Sequence, residues 1–161
     1  MNRMRMQSVL LALPLALLLC LAPQQAPAQD GYLFEADISG EYEVPPTSAP
    51  QTGHVALTLN AEMTEASYVI EYDPLPDETA AHFHLAPPGT NGPVVHGLPA
   101  GNPKVGVWMI SPEHVTALFD GNIYVNIHSS EFPGGAIRGN LTTYVVSAEA
   151  SSWSQIKTLF R

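Results

Sequence analysis

The chain has 161 residues, 15 of them acidic, six Lys or Arg and one Cys, with a formal net charge of −9. A balance this acidic excludes nucleic-acid or anionic-membrane binding through bulk charge and favours local concentration of cations. The single Cys20 lies in an apolar N-terminal run, so the remainder carries neither a disulfide nor a thiolate ligand.

Arg3 and Arg5 precede a continuous apolar stretch from Val9 to Ala22, followed by Ala26-Pro27-Ala28. A basic start, a short apolar run and a small-x-small site form the pattern of a secretory signal peptide cleaved after Ala28. The run is short for a spanning helix and meets Pro23, which argues against a retained anchor. Leu19 stands where a lipidation site at Cys20 needs a small residue, so a lipoprotein is not expected. Removing 1–28 leaves roughly 130 residues, enough for one domain with a real core. The expected organisation is a leader over 1–28, one domain over 29–148 and a tail over 149–161. All the acidic residues lie after the leader, against Lys104, Arg138, Lys157 and Arg161. A periplasmic or secreted location follows, with no membrane attachment after cleavage.

Tyr32 to Ser39 alternates around Leu33, Phe34, Ala36 and Ile38 and reads as a strand. Gly40 to Gln51 holds Glu43-Val44-Pro45-Pro46. Consecutive prolines lack amide donors, which places this segment at an edge or between sheets. His54–Asn60 and Ala66–Tyr72 alternate again. Thr79–Leu85 carries Ala81-His82-Phe83-His84, and Val94–Leu98 is short and extended after a Pro/Gly loop. Lys104–Ile110 is a further strand. Ser111-Pro112-Glu113 is a helix start, with Ser as N-cap and Pro at the first position. Asp120-Gly121 ends that helix. Asn122–His128 places Tyr124, Asn126 and His128 on one face, and Ala136–Val146 reads as one long last strand. Ser151–Arg161, with Trp153, Ile156, Leu159 and Phe160, is a short amphipathic helix or a docked tail. About eight short strands, dense turns and one short helix indicate an all-β sandwich or partly closed barrel. There is no phosphate loop, dinucleotide fingerprint or nucleophile elbow.

The chemistry concentrates on histidine. In a strand His82 and His84 share a face while Phe83 takes the other. His96 follows a loop of ordinary length, and His128 shares its face with Asn126 and Tyr124. A site built from His82, His84, His96 and His128 without thiolate suits one copper ion, with Zn(II) or Ni(II) less selective. Tyr124 and Asn126 read as packing groups or as partners that orient a ligating histidine. His54 and His114 read as surface residues. Arg138 pairs with a carboxylate such as Glu131 or Glu43, or orients a small anion at an open metal position. Glu43 reads as structural, capping amides or pairing with Arg138.

The ordered landmarks Ile38-Ser39-Gly40, Glu43-Val44-Pro45-Pro46, Gly53, Ala81-His82-Phe83-His84, Pro88-Gly89-Thr90-Asn91-Gly92-Pro93-Val94-Val95, Gly121 to His128 and Pro133 to Gly139 resemble the CHRD family. That domain, first described in chordin, also occurs in exported bacterial proteins. The spacing of His82, His84, His96 and His128 before Arg138 is also similar to copper/zinc superoxide dismutase, a Greek-key β-sandwich. Without the disulfide or the zinc ligands, that resemblance implies a copper-only version. In it the four histidines hold copper and Arg138 is the catalytic residue that orients superoxide. The expectations to test are a copper-only dismutase, a non-enzymatic copper carrier or buffer, and a metal-free extracellular interaction module. Oligomeric state is not legible.

Overall fold

The computed structural model describes residues 31–144. Nine strands and one helix follow in order: β1 (Gly31–Ser39), β2 (Thr52–Asn60), β3 (Glu65–Tyr72), β4 (Glu78–Leu85), β5 (Val94–Gly97), β6 (Lys104–Met109), α1 (Pro112–Phe119), β7 (Ile123–Ser129), β8 (Ile137–Asn140) and β9 (Thr142–Tyr144). The leader and the proposed tail helix lie outside the described residues.

The strands are all antiparallel, in the order β5-β4-β7-β8-β1-β2-β3-β6, with β9 also on β1. Only one residue pair, Ser39 with Arg138, joins β8 to β1. At that corner the nearly closed sheet folds into two layers, β5-β4-β7-β8 facing β1-β2-β3-β6. The non-consecutive neighbours β4–β7 and β3–β6 arise where the chain crosses between the layers, giving the key-like winding of a sandwich.

Alternation dictates the core. Val55, Leu57 and Leu59 of β2 and Ala66, Tyr68, Ile70 and Tyr72 of β3 point inward and are buried. They meet Ala81 and Phe83 of β4 and Ile123, Val125 and Ile127 of β7. Phe83 stacks on Trp108 at 5.6 Å and meets Tyr68 edge-on at 5.4 Å, which locks the layers face to face. Helix α1 begins as its sequence requires. The Ser111 hydroxyl accepts from the His114 amide, and Pro112 opens the first turn. Val115, Ala117 and Leu118 are buried.

The expected single last strand is two. The Leu141 amide donates to Ile123 O, after which the chain leaves β7 and pairs with β1 through Thr142–Tyr144. Both pieces keep β-type alternation, so the change of layer leaves no mark on the pattern.

The second face of β7 is largely covered as well, with Tyr124 and Asn126 buried and His128 half-buried. Tyr124, Asn126 and His128 point away from the core, yet three loops cover them. The 40–51 loop returns over β8, where the Thr47 hydroxyl donates to Ala136 O. The 86–93 loop is tied to it by Asn91 Nδ2 donating to Val44 O at 2.7 Å. The 130–136 turn closes the remaining side. The proline-rich segment thus bridges across the sheet, and the polar outer face of β4, β7 and β8 lies beneath its own roof.

Candidate metal centre

His82 and His84 project from the outer face of β4, opposite to Phe83, as strand alternation requires. The β4–β7 register sets His82 beside Asn126 and His84 beside Tyr124. His128 lies one step further along the same face of β7. The three rings form a near-equilateral group, with centroids 5.6 Å apart for His82–His84, 5.2 Å for His82–His128 and 5.9 Å for His84–His128. One nitrogen from each lies within 4.8 Å of the others. A metal ion with bonds of about 2.0–2.1 Å holds its ligands within roughly 4.2 Å of one another, so small ring rotations complete the set.

Backbone carbonyls fix two of the rings. His84 Nδ1 donates to Gly92 O at 3.0 Å and His128 Nδ1 donates to Pro133 O at 3.1 Å. A carbonyl only accepts, so Nδ1 carries the proton and Nε2 keeps its lone pair in both. Among the described residues the buried imidazole nitrogens without a partner are His84 Nε2, His128 Nε2 and His82 Nδ1. Burial holds His84 and His128 below the usual imidazole pKa, which keeps them in the neutral, ligating form. His84 also stacks on Tyr124 at 4.8 Å.

His96 is not part of this group. On β5 it faces Phe83 in register, so it points to the opposite side of the sheet from His82 and His84. Its ring stacks on Trp108 at 5.2 Å, and its Nε2 lies 3.5 Å from the Tyr68 hydroxyl. A register shift between Phe83 and His84 interrupts the β4–β5 pairing, and β5 has only four residues. Parity therefore could not be read across the loop.

Arg138 is drawn to the centre but closed off. It is fully buried. Its Nη1 donates to Asn91 Oδ1 at 3.0 Å and its Nη2 to Thr90 O at 2.9 Å. The guanidinium lies 3.5 Å from the centroid of the Tyr124 ring, on which His84 also stacks. It forms no ion pair with Glu131 or Glu43 within 4.0 Å among the described residues. Both terminal nitrogens hold the 86–93 loop, and no face is turned to solvent.

His54 and His114 stand apart from the cluster: His54 is exposed, whereas His114 is half-buried with its ring 5.4 Å from that of Trp108. His54 sits between Asp37 and Glu35, and His114 contacts the Ser111 cap. The two carbonyls that orient His84 and His128 were not legible, because a backbone acceptor has no residue identity. Gly92 and Pro133 mark only that the chain turns there.

The arrangement offers three imidazoles, converging at one point on the outer face of the sheet, to a single borderline cation. A family model described as the CHRD domain matches residues 34–141. No curated protein and no solved structure matches the chain.

Proposed function

The chain belongs to the CHRD domain family, and on that premise we propose that it is an exported protein that binds one copper ion through His82, His84 and His128. The family is of extracellular and periplasmic type, and no helix among the described residues is long and apolar enough to cross a membrane. The basic, apolar, Ala-x-Ala start of the chain supports export.

The observation that carries the reading is that His82, His84 and His128 bring one ring nitrogen each within 4.8 Å of one another, and that each ring has a buried nitrogen without a partner. A buried polar atom left without a partner costs about 1–3 kcal/mol. Three at one point describe a site shaped for a common partner that accepts three lone pairs, which is a metal ion. Nitrogen-only coordination without thiolate favours Cu(II) in the divalent affinity order, with zinc as the weaker competitor.

The geometry supports holding the ion rather than turning over superoxide. An orienting arginine must present its terminal guanidinium donors to the open coordination position, and Arg138 commits Nη1 to Asn91 and Nη2 to Thr90 and Asn140, which leaves only the inner Nε without a partner. It therefore acts as a positioning residue for Tyr124 and the covering loop. A carrier or buffer role follows.

Elemental analysis and Cu(II) electron paramagnetic resonance on exported protein test the site. One copper per chain with nitrogen hyperfine coupling is expected, lost in His84→Ala and retained in His96→Ala. A spectrum indifferent to His84→Ala would overturn the site. Absence of stoichiometric copper binding would leave the metal-free interaction module as the better reading. Superoxide dismutation that survives mild chelation and is lost in Arg138→Gln with copper still bound would reinstate the enzyme.

A further inference from the structure

Three more buried polar atoms lack partners: Glu43 Oε1, Asn126 Oδ1 and Arg138 Nε. They form one compartment beside the histidines. Across β4, β7 and β8 the register sets His82, Asn126 and Arg138 in a row. Asn126 Nδ2 donates to Glu43 Oε2 at 3.3 Å. A Cβ added to Gly135 would collide with Glu43 Oε1 and with both ends of the Asn126 amide, so the Gly135 backbone seals the compartment.

Glu43 is 5 % exposed and has no cation within ion-pairing distance among the described residues. It touches Asn126 and not a histidine. From β8 the Arg138 charge favours its ionised form, and Asn126 on β7 contributes one hydrogen bond. On its other side Glu43 lines a groove of about 510 Å³ together with Asp37, Glu41, Tyr42 and Asn140. Burial dominates, and the Glu43 carboxyl is pushed up to about 7.

We propose that Glu43 is the counter-charge of the histidine centre, holding a proton in the metal-free protein and releasing it to the groove when a divalent ion binds. This rests on the metal-binding reading. In the exchange the carboxyl O–H bond breaks, the electron pair stays on oxygen and the proton passes to water in the groove. No electrons are transferred. A divalent charge at His82, His84 and His128 lies across Asn126 from the carboxyl and acts in the same sense as Arg138, with twice the charge. The bound ion then faces one carboxylate and one guanidinium instead of an uncompensated buried cation. Hydrogen-bonded contact through Asn126 and closure by Gly135 keep that carboxylate beside the site without making it a ligand.

The test is the number of protons released on Cu(II) binding to the full exported chain. Isothermal titration in buffers of different ionisation enthalpy reads it, for wild type and Glu43→Gln. At pH 7 wild type is expected to release about half a proton more than Glu43→Gln, because about half of Glu43 is then protonated. The difference grows toward one proton as pH falls to about 6 and disappears by about pH 8.5. Equal release by the two proteins across this range overturns the proposal while leaving the metal site intact. Failure of wild type to bind Cu(II) overturns both. Should Glu43→Gln not fold, carboxyl carbon NMR of wild type with and without Zn(II) decides. A Glu43 midpoint near neutrality that falls when Zn(II) is added supports the proposal, and an unmoved midpoint overturns it.

Discussion

Two buried polar clusters in this fold are finished in opposite ways. At one end of the sandwich Lys104 is fully buried, and its ammonium donates to Glu78 Oε1 at 2.5 Å, Pro99 O at 3.0 Å and Gly101 O at 3.1 Å. The Tyr72 hydroxyl donates to the second oxygen of the same carboxylate, and burial followed by that bond pushes its pKa up. Every donor of the ammonium is used. On the outer face of β4, β7 and β8, six buried polar atoms have no partner. Both clusters lie under loops, and both contain charged or titratable groups. The first is complete within the chain and closes the turn between β5 and β6. The second leaves its polar atoms without partners among the described residues. Native structures keep few unpartnered buried polar atoms, so six in one place mark function rather than architecture.

The sharpest way to break the comparison is to remove the hub of the complete cluster. Lys104→Ala leaves Glu78 facing two carbonyls and the Tyr72 hydroxyl without a cation. Loss of one partner from a buried pair costs about 3–5 kcal/mol, and urea unfolding should show a drop of that order. The drop should be the same with and without Cu(II) in solution. A loss below about 1 kcal/mol would mean that the cluster is not what closes that end of the molecule.

The incomplete cluster should behave in reverse. His84→Ala removes a ring that stacks on Tyr124 but also removes an unpartnered nitrogen, so the metal-free protein should lose only about 1 kcal/mol. Copper at a hundred times its Kd should stabilise wild type by about 2.7 kcal/mol and His84→Ala by nothing measurable. His96→Ala, whose ring belongs to the Phe83–Trp108 stack, should retain the full copper response. Equal copper-induced stabilisation in wild type and His84→Ala would erase the distinction between the clusters.

Strand alternation carried most of what could be read beforehand. It placed His82 and His84 on one face, Phe83 on the other, and His128 with Asn126 and Tyr124. It failed where the answer depended on pairing rather than pattern. His96 lies on the far side of its sheet because β5 meets β4 across a register shift, which no count along one strand reveals. Arg138 stood out as one of the few cations, but its use on Thr90 and Asn91 depends on a loop that arrives from 47 residues away. Lys104 was read only as the start of a strand, since its carboxylate partner Glu78 lies 26 residues away and its other two partners, Pro99 O and Gly101 O, are backbone carbonyls. Residue type announces chemistry, whereas the partners that satisfy or spare it come from the fold.

A smaller change tests whether the open compartment depends on a close backbone approach. Gly135 has φ +137°, outside the range that side chains favour, and a Cβ there would strike Glu43 and Asn126. Gly135→Ala should cost about 1–3 kcal/mol from strain and overpacking. It should also weaken Cu(II) binding by displacing the 130–136 turn, whose Pro133 carbonyl orients His128. Full stability with unchanged copper affinity would show that the turn gives way freely and that the histidines are positioned without it.

The least effect is expected where water does what neither buried cluster can have done for it. His54 is exposed on β2, with Nδ1 3.1 Å from Asp37 Oδ1 and Nε2 3.3 Å from Glu35 Oε1. The hydrogen bond to Asp37 is the largest cause raising its pKa; burial opposes it, and Glu35 acts in the same sense as Asp37. A histidine whose pKa is higher in the folded chain stabilises fully below its unfolded value and loses that stabilisation as pH rises through the folded value. Wild type should therefore lose a little stability as pH rises from about 6 to 8, relative to His54→Gln. Screening by solvent limits the difference to a few tenths of a kcal/mol, and added salt should shrink it further. Thermal melts of the two proteins across that pH range, at low and high salt, measure it. A salt-insensitive difference above about 1 kcal/mol would place His54 with the buried clusters and would mean that exposure does not decide which polar groups of this fold need a partner.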